Sequence, residues 1–261
     1  MELSGNTILI TGGSSGIGYE FAAQLLKRGN TIIVTGRDQA KLDEAQRNLT
    51  GIHIFQNDVS DPNAISWLFN VVVEKFPGLN ILINNAGIMR KINLLDYGNG
   101  LEDINREIET NLVGAVRMVK QFLPHLKSQE FAAIVNVSSG LAFVPLPIAP
   151  VYCAAKAGVH SFTQSLRVQL KDTRIKVFEL APPLTRTSLF RNMDADAVKG
   201  VRMMEVSKMV RQAIRGLERD HLEIHPGLSK VLKLMSRVAP QFALNRLSKS
   251  VAEHGSWSTI S

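Results

Sequence analysis

The amino-acid sequence predicts an α/β protein in which a doubly wound parallel β-sheet carries helices on both faces. Short apolar runs typical of fully buried strands alternate with segments of helical periodicity along most of the chain. No linker, low-complexity segment or internal repeat interrupts this alternation, so a single domain is expected over residues 1–261. Hydrophobic residues make up 45% and charged residues 20% of the chain, which excludes disordered and collagen-like proteins.

Buried strands and amphipathic helices follow one another from residue 7 onward. The strands are predicted at 7–11, 31–35, 53–55, 80–84, 132–137 and 175–180. The helices are predicted at 16–28, 39–48, 61–76, 102–127 and 150–171, with one or two more at 226–250. Because right-handed crossovers join parallel strands, we expect the ligand crevice at the carboxyl ends of the strands.

Cysteine content and apolar segments limit the class of protein. The one cysteine, Cys153, excludes an intrachain disulfide and any metal site built from cysteines. The first residues lack the basic and apolar regions of a secretory signal. No apolar stretch approaches the roughly 18 residues that a membrane span requires, so a cytoplasmic protein is expected.

The net charge of +7 is concentrated in the last quarter of the chain, where residues 199–261 carry eleven Lys or Arg against five Asp or Glu. A basic segment of this kind can contact nucleic acid or an anionic surface. The segment contains no recognisable nucleic-acid module, and no exposed aromatic residues interleaved with its basic residues are expected. Solvated helix faces are therefore favoured, and no nucleic-acid partner is expected.

The first strand ends in the glycine-rich turn Thr11–Gly18, which opens the next helix. Glycines let the backbone approach a pyrophosphate, and the helix N-terminus offers free N–H groups. Such a turn can also serve tight packing, but its position at the first strand-to-helix connection favours a dinucleotide cofactor. The residues expected to contact the cofactor are Gly12, Ser14, Ser15, Gly16, Ile17 and Gly18.

The residues after the second strand indicate which dinucleotide is bound. An acidic residue there would bind the adenosine ribose of NAD, but this chain has Arg37, whose guanidinium suits a 2′-phosphate. The sequence therefore favours NADP. If Asp38 turned inward instead, NAD would be indicated.

Two further strand ends carry candidate cofactor contacts. Asp58 and Val59 follow the third strand, where the carboxylate can accept from the adenine amino group or can simply cap a turn. Asn84–Gly87 follows the fourth strand as a sharp turn. Asn85, Ala86 and Gly87 are expected near the ligand, although either asparagine could instead tie strands together.

The motif with the clearest chemistry is Tyr152-x-x-x-Lys156, preceded by Ser138 and Ser139 at the end of a strand. Four residues of helix bring the tyrosine and the lysine onto one face. A nearby ammonium stabilises a phenolate and lowers the phenol pKa, which makes tyrosine a usable general acid and base. Ser139 would hydrogen-bond the carbonyl oxygen on which charge develops.

A histidine-containing segment, His221–His225, superficially resembles a metal site. The segment is predicted as a strand, and its glutamate is misplaced for a metalloprotease helix. No metal site is therefore expected.

Together these motifs resemble the short, single-domain branch of the short-chain dehydrogenase/reductase family, over residues 4–187. The resemblance implies a Rossmann-type fold and selects Ser139, rather than Ser138, as the catalytic serine. It also implies that Asn111 is a fourth catalytic residue, which holds a water in contact with Lys156. Lys156 would itself hydrogen-bond the nicotinamide ribose.

The resemblance extends to the loop after the sixth strand, with one departure. Pro183 replaces the glycine usual in the family, which stiffens the loop. Pro182, Thr185 and Thr187 are expected to contact the cofactor, with Thr187 on the carboxamide. Residues 188–261 would form a substrate lid and a C-terminal helical extension. At finer grain, 87–91 and 139–152 resemble the DltE-like oxidoreductases of this family.

These observations predict an NADP-dependent oxidoreductase that transfers a hydride between the nicotinamide and a carbonyl or secondary alcohol, with Tyr152 as general acid and base. A non-catalytic NADP-binding sensor or scaffold is the alternative. The expected partners are a small substrate of low polarity and further copies of the chain in a homodimer or homotetramer. An apolar pocket is expected from Leu141, Phe143, Val144, Leu146 and the segment after Pro183.

The C-terminal segment 226–250 carries an apolar stripe at helical spacing, formed by Leu228, Val231, Leu232, Met235 and Val238. Packing of this stripe in the core or in a dimer is favoured over contact with a membrane surface, because apolar stripes usually bury within protein.

Overall fold

The computed structural model of the chain describes residues 1–94, 100–187, 189 and 203–252. The predicted parallel sheet is confirmed, with strand order β3-β2-β1-β4-β5-β6-β7 in the described residues. The strands are β1 Thr7–Thr11, β2 Thr31–Gly36, β3 His53–Gln56, β4 Leu79–Asn84, β5 Ala132–Val137, β6 Ile175–Leu180 and β7 Glu223–Ile224.

Helices connect the strands and lie on both faces of the sheet. In the described ranges they are α1 Gly16–Leu26, α2 Gln39–Asn48, α3 Pro62–Lys75, α4 Leu101–Ile104, α5 Arg106–Ile108, α6 Gly114–Ser128, α7 Pro150–Gln169, α8 Val206–Glu218, α9 Leu228–Val238 and α10 Pro240–Ala252. A π-helical turn, Glu109–Val113, joins α5 to α6, and a 3₁₀ turn, Gly140–Ala142, follows β5.

The strands are apolar on both sides because each side of the sheet supports its own core. In β1, Ile8 and Ile10 pack with Phe21 of α1 on one face, whereas Leu9 packs with Phe122 of α6 on the other. Successive strand residues point to opposite faces, so the same alternation recurs in the neighbouring strands. The polar residues that follow each strand consequently have no place in either core and lie at the carboxyl edge.

The strand register brings the carboxyl ends of the central strands to the same edge. Thr11 pairs with Thr35, Gly36 with Gln56, and Asn84 with Asn136. The turns that follow β1, β2, β4 and β5 therefore open onto one crevice, as the topology of open α/β sheets requires.

The prediction of a single long helix at 102–127 is wrong. The segment is broken near Asn105 and contains the π-helical turn Glu109–Val113 before α6 begins. A π turn accommodates one extra residue, which redirects the side chains that follow it. At Gly114 a Cβ would come within 2.8 Å of Val59, so the helix can pass this close to the β3 end only with glycine there.

Two other elements differ from the sequence expectation. Helix α8 was not predicted, although its buried residues Met209, Val210, Ala213, Ile214 and Leu217 recur at helical spacing. The strand expected at 221–225 shortens to Glu223–Ile224, which pairs with the end of β6. No helix in the described part of the chain has both the length and the apolar character needed to cross a membrane.

The apolar stripe of the C-terminal helices is only partly buried in the chain by itself, so it does not pack fully in the core, and its packing in a dimer stays a prediction. Leu232 and Met235 are half-buried, but Leu228, Val231 and Val238 are more than half exposed in the chain by itself. Only one edge of the stripe, with Leu232 and Met235, packs against the rest of the protein, and the other edge is exposed.

Candidate active site

The glycine-rich turn after β1 packs directly against the turn after β4. Gly12 and Gly16 adopt positive φ angles of 64° and 56°, a region that favours glycine. A Cβ at Gly12 would lie 2.7 Å from the Cα of Ala86, and one at Gly18 would lie 2.4 Å from the carbonyl oxygen of Gly12. Close packing therefore explains two of the glycines in the motif.

Hydrogen bonds join the same two turns. The Thr11 hydroxyl accepts from the backbone N–H groups of Asn85 and Ala86, both at 3.0 Å. The Asn85 side-chain amide donates to the carbonyls of Thr11 and Gly12, also at 3.0 Å. The sequence left open whether an asparagine here ties strands together, and in the structure Asn85 does so.

The N-terminus of α1 is arranged to receive an anion. Ser15 is the N-cap residue, and its side chain makes no capping hydrogen bond. The first helical turn contains no acidic residue. Because the first N–H groups of a helix have no partners within the helix and carry a partial positive charge, this terminus fits a phosphate or pyrophosphate.

Arg37 and Asp58 lie together at the ends of β2 and β3. The Arg37 Nη1 atom is 3.8 Å from the Asp58 Oδ2 atom, and both side chains are partly exposed. The other carboxylate oxygen of Asp58 accepts from the N–H and the hydroxyl of Ser60 at 2.9 and 2.7 Å. Asp58 thus has the turn-forming role that the sequence allowed.

Asp38 does not turn into the crevice. It is the N-cap of α2, where it accepts from the Lys41 N–H at 3.2 Å and pairs with the Lys41 ammonium at 3.0 Å. These contacts with Lys41 lower the pKa of the Asp38 carboxyl. Arg37 is left as the charged side chain at the β2 end.

The loop after β6 reaches back to the glycine-rich turn. A Cβ at Gly16 would lie 3.4 Å from the Thr187 side chain, so the two segments are neighbours. The Pro182 carbonyl accepts from the Gly140 N–H at 2.8 Å, and the Pro183 carbonyl accepts from the Thr185 hydroxyl at 2.7 Å. The two prolines therefore supply carbonyls that hold the loop, although neither has an N–H to donate.

Ser139, Tyr152 and Lys156 come together as one buried cluster. The side chains of Ser139 and Tyr152 are hydrogen-bonded, and the Lys156 Nζ atom lies 5.8 Å from the centre of the Tyr152 ring. The Lys156 ammonium donates to the Val137 carbonyl at 2.8 Å, which ties α7 to the end of β5. The predicted helical spacing accordingly presents both α7 side chains to the serine.

Burial changes the proton affinities of this cluster. Burial raises the pKa of Tyr152, an effect that the hydrogen bond with Ser139 opposes and the charges of Cys153 and Glu107 reinforce. Burial lowers the pKa of Lys156 to about 8. The expectation of a lowered tyrosine pKa is therefore wrong for the chain by itself, because loss of hydration outweighs the hydrogen bond with Ser139.

Asn111 lies in the π-helical turn and faces the segment after β4. Its side-chain oxygen accepts from the Ile88 N–H, and its amide donates to the Ile88 carbonyl, both at 2.8 Å. A Cβ at Gly87 would lie 3.1 Å from Asn111 Oδ1 and 3.6 Å from Lys156 Nζ. Asn111 thus fixes the Gly87–Ile88 backbone beside the lysine.

A buried network behind the catalytic serine was not anticipated. The Ser138 hydroxyl donates to one Glu179 oxygen at 2.5 Å, and the other oxygen lies 2.7 Å from His160 Nδ1. Glu179 is completely buried and joins β5, β6 and α7. The sequence signal was a carboxylate within the otherwise apolar end of strand β6.

Glu107 is a second buried carboxylate that was missed. One of its oxygens accepts from the Arg90 N–H at 2.9 Å, and the other lies 3.8 Å from Arg90 Nε. Burial raises the pKa of Glu107. This ion pair connects α5 to the segment after β4, on the same side as Tyr152.

Apolar side chains form a wall next to Tyr152. The cluster contains Met89, Leu146, Ile148, Ala149, Tyr152 and Cys153, with Leu141, Leu189 and Leu247 packed against it. Leu141 and Leu146 therefore lie close to Tyr152, and their place in a pocket lining stays a prediction. The rest of the segment after Pro183 falls mainly in residues 188 and 190–202, outside the described part of the chain.

Phe143 lies apart from the apolar cluster next to Tyr152, which corrects its predicted place in the pocket lining. Its ring lies between His160 and His225, at centroid distances of 5.0 and 5.5 Å. Val144 is buried but does not belong to the cluster around Tyr152.

Burial is the main reason that the pKa of His225 is lowered. Within the described residues, no group of three His, Cys, Asp or Glu side chains is placed to hold a metal ion.

Cys153 packs in the apolar cluster next to Tyr152. Its sulfur accepts from the Leu146 N–H at 3.2 Å, and burial raises its pKa to about 11. A thiol held neutral in this way is a poor nucleophile.

Gly18→Ala is expected to destabilise the fold, because the added methyl group would lie within 3 Å of the Gly13 backbone and still closer to the Gly12 carbonyl. We expect urea unfolding to show a loss of about 1–3 kcal/mol. Gly78→Ala is the matched control, since its Cβ would meet nothing closer than Thr7 at 3.8 Å. Equal stability of the two variants would contradict the close packing of the turn.

Comparison with known proteins supports the same assignment. The family model for short chain dehydrogenases matches residues 6–198. The chain is 47% identical over 192 residues to the uncharacterized oxidoreductase DltE of Bacillus subtilis, covering 72% of this chain and 75% of that protein.

Solved structures of the family superpose over nearly the whole chain. A short chain dehydrogenase from Burkholderia cenocepacia in complex with NADP has a TM-score of 0.81 at 25% identity, covering 95% of this chain and 99% of its own. A short chain dehydrogenase/reductase from Burkholderia phymatum in complex with NAD shares the fold, with a TM-score of 0.79 at 21% identity and coverages of 91% and 95%. With the glycine-rich turn, the Tyr152–Lys156 pair and Ser139 gathered at one sheet edge, this chain belongs to the short-chain dehydrogenase family of oxidoreductases.

Proposed function

We propose that the protein is an NADP-dependent oxidoreductase that transfers a hydride between the nicotinamide and a carbonyl or secondary alcohol. The observation that carries this proposal is the buried cluster of Ser139, Tyr152 and Lys156, which adjoins the turn where a dinucleotide would bind. A hydroxyl, a phenol and an ammonium at one site are the groups that carbonyl reduction requires.

In the proposed reaction, the bound nicotinamide supplies a hydride to the carbonyl carbon, or accepts one from the alcohol in the reverse direction. The C=O π electrons move to oxygen, and the Tyr152 hydroxyl gives that oxygen its proton. The Ser139 hydroxyl donates a hydrogen bond to the same oxygen while negative charge develops on it. The phenolate left on Tyr152 is stabilised by the Lys156 ammonium.

The proton affinities of the cluster favour reduction near neutral pH. Because burial raises the pKa of Tyr152, the phenol keeps its proton and can act as the acid. Because the pKa of Lys156 is about 8, the lysine remains mostly charged at pH 7. We further propose that Lys156 hydrogen-bonds the nicotinamide ribose and that Asn111 supports a water relay to Lys156.

The proposed cofactor site is built from segments that follow several strands. Its members are Gly12, Ser14, Ser15, Gly16, Ile17, Gly18, Arg37, Asp58, Val59, Asn85, Ala86, Gly87, Tyr152, Lys156, Pro182, Thr185 and Thr187. The chemistry of the donor set supports this proposal, because the α1 N-terminus offers N–H groups and hydroxyls to a pyrophosphate without a competing carboxylate.

The choice of NADP rests on Arg37. Asp38 caps α2, so the charge at the β2 end is positive and suits a 2′-phosphate. Solved relatives include complexes with NADP and with NAD, so the family alone does not decide the cofactor.

Arg37→Asp is expected to reverse the cofactor preference. The variant would repel the 2′-phosphate and offer the ribose hydroxyls an acceptor, so the ratio of kcat/KM for NADPH over NADH should fall by about tenfold or more. Lys41→Asp is the control, since it changes the charge equally one helical turn away. An unchanged ratio in Arg37→Asp would show that another residue selects the cofactor.

The proposed substrate is a small ketone, aldehyde or alcohol of low polarity, because apolar side chains surround Tyr152. We propose that residues 1–261 act as one dinucleotide-binding catalytic domain in which 188–261 form the lid and the C-terminal extension. Leu189 and Leu247 support this assignment, since both pack against the cluster next to Tyr152. A homodimer or homotetramer in the cytoplasm is proposed as the working form.

The function is tested by following oxidation of NADPH, and in parallel of NADH, against a panel of ketones and aldehydes. We expect turnover with apolar carbonyls and a preference for NADPH. Tight binding of NADPH without turnover of any carbonyl or alcohol would contradict the proposal and favour a non-catalytic sensor or scaffold.

A further inference from the structure

A row of large apolar side chains is exposed on the surface of α9 and α10. Val231, Leu234, Val238 and Phe242 are 51%, 60%, 73% and 64% exposed. The first three recur at intervals of three and four residues, so they share one face of α9, and Phe242 adds a fourth at the start of α10. We call these four residues the C-terminal ridge. Nothing in the described part of the chain covers it.

Every charged residue of α9 and α10 is basic. Lys230 and Arg237 of α9 and Arg246 of α10 are exposed, and the sequence has no Asp or Glu between 224 and 252. Lys230 also lines a cleft of about 380 Å³ together with Arg215 of α8, Arg219 just after it, and one carboxylate, Glu223. The positive surface therefore continues from α9 onto the neighbouring helix.

The opposite face of α9 holds the helix against the body of the protein. Ser229 is fully buried, and a Cβ at Gly140 would lie 2.8 Å from its hydroxyl and 3.2 Å from the Leu232 side chain. Lys233 forms an ion pair with Glu223. These contacts fix the orientation of α9. The helix therefore cannot turn so as to bury the ridge against the rest of the protein.

From this surface we infer that α9 and α10 bind peripherally to an anionic lipid bilayer. Apolar side chains flanked by lysine and arginine on one helical face are the arrangement of interfacial helices, in which the apolar groups enter the headgroup boundary and the cations contact anionic lipids. A second copy of this chain fits less well, because a two-fold contact would oppose the same cations across the interface.

The experiment is co-sedimentation of the full-length protein with vesicles. Phosphatidylcholine vesicles with and without phosphatidylglycerol are compared, at low and at high salt. The ridge variant is Val231→Asp/Leu234→Asp, and its control is Leu101→Asp/Val168→Asp, which makes the same charge change at exposed apolar residues of α4 and α7. The charge variant is Lys230→Gln/Arg237→Gln/Arg246→Gln, with Lys27→Gln/Lys120→Gln/Lys171→Gln as its control.

We expect the parent protein to bind vesicles that contain phosphatidylglycerol, and to bind them less at high salt. The ridge variant and the charge variant should each lose about tenfold in partition coefficient, whereas both controls should bind like the parent. Failure of the parent to bind, or equal losses in variants and controls, would overturn the inference. A parent dimer that the ridge variant dissociates in sedimentation equilibrium would also overturn it, because the ridge would then be a subunit interface.

Discussion

Tyr152→Phe is expected to lower kcat/KM for carbonyl reduction by about 10²–10⁴-fold, because the variant removes the proton that neutralises the developing alkoxide. The ring and its packing against the apolar wall are retained, so NADPH affinity and the free energy of unfolding should change little. Steady-state kinetics together with fluorescence titration of NADPH separate the two effects.

Tyr19→Phe is the matched control for this substitution, since Tyr19 lies on α1 and packs against the core on one face of the sheet. We expect that variant to keep the activity of the parent protein. Full turnover in Tyr152→Phe would remove the tyrosine from the chemistry, and a parallel loss in Tyr19→Phe would attribute the effect to packing.

Lys156→Met is expected to lower kcat/KM by about 10²-fold or more, because no cation then stabilises the phenolate of Tyr152.

In the parent protein, the need for a charged Lys156 makes the rate of reduction depend on pH. The pKa of Lys156 is about 8, so the rate of reduction should fall as the pH rises through that value and the ammonium loses its proton. A rate that stays constant to pH 9.5 would contradict this role of Lys156.

The same substitution should not destabilise the protein at neutral pH. Burial lowers the pKa of Lys156 to about 8, so the folded state holds the proton less tightly than the unfolded state does. Lys156→Met removes this burial cost, and we expect the free energy of unfolding at pH 7 to rise by about 1–3 kcal/mol. Urea unfolding that shows a large loss of stability would contradict a desolvated ammonium.

The sign of the stability effect can be checked against pH. Between pH 8 and 10 the unfolded state of the parent binds more protons at Lys156 than the folded state, so its stability should rise with pH across this window. The Lys156→Met variant should lack that rise. Above pH 10 the trend should reverse, because the raised pKa of Tyr152 makes the folded state the better proton binder there.

The sheet was predictable because its strands are buried on both faces. The run Thr7–Thr11 has three large apolar residues in succession, Ile8, Leu9 and Ile10, a pattern that favours a strand buried on both faces. Right-handed crossovers between such strands predict a doubly wound sheet with its ligand crevice at the carboxyl ends of the strands. The turns at 11–18 and 84–87 were therefore expected at one edge, whereas the order of the strands was not predicted.

The elements that were missed depend on contacts between distant segments. The π-helical turn at Glu109–Val113 is accompanied by two hydrogen bonds between Asn111 and Ile88, and helical periodicity carries no sign of them. The exposed face of α9 is apolar, as a buried face would be, so the sequence pattern alone predicted that it packs in the core or in a dimer.

Residue types in the candidate site were easier to predict than their surroundings. Spacing placed Tyr152 and Lys156 on one helical face, and the family resemblance selected Ser139. The proton affinities could not be predicted, since they depend on burial, which raises the pKa of Tyr152 and lowers that of Lys156. Glu179 was missed because its partners Ser138 and His160 come from separate parts of the sequence.

The most direct test of the account is hydride transfer itself. The protein is incubated with NADPH that carries deuterium at both hydrogen positions of nicotinamide C4 and with an apolar ketone, and the product is analysed by mass spectrometry. The account predicts an alcohol with a single deuterium on the carbinol carbon, formed by the parent protein and not by Tyr152→Phe. Alcohol without deuterium, or no alcohol from any carbonyl while NADPH remains bound, would contradict it.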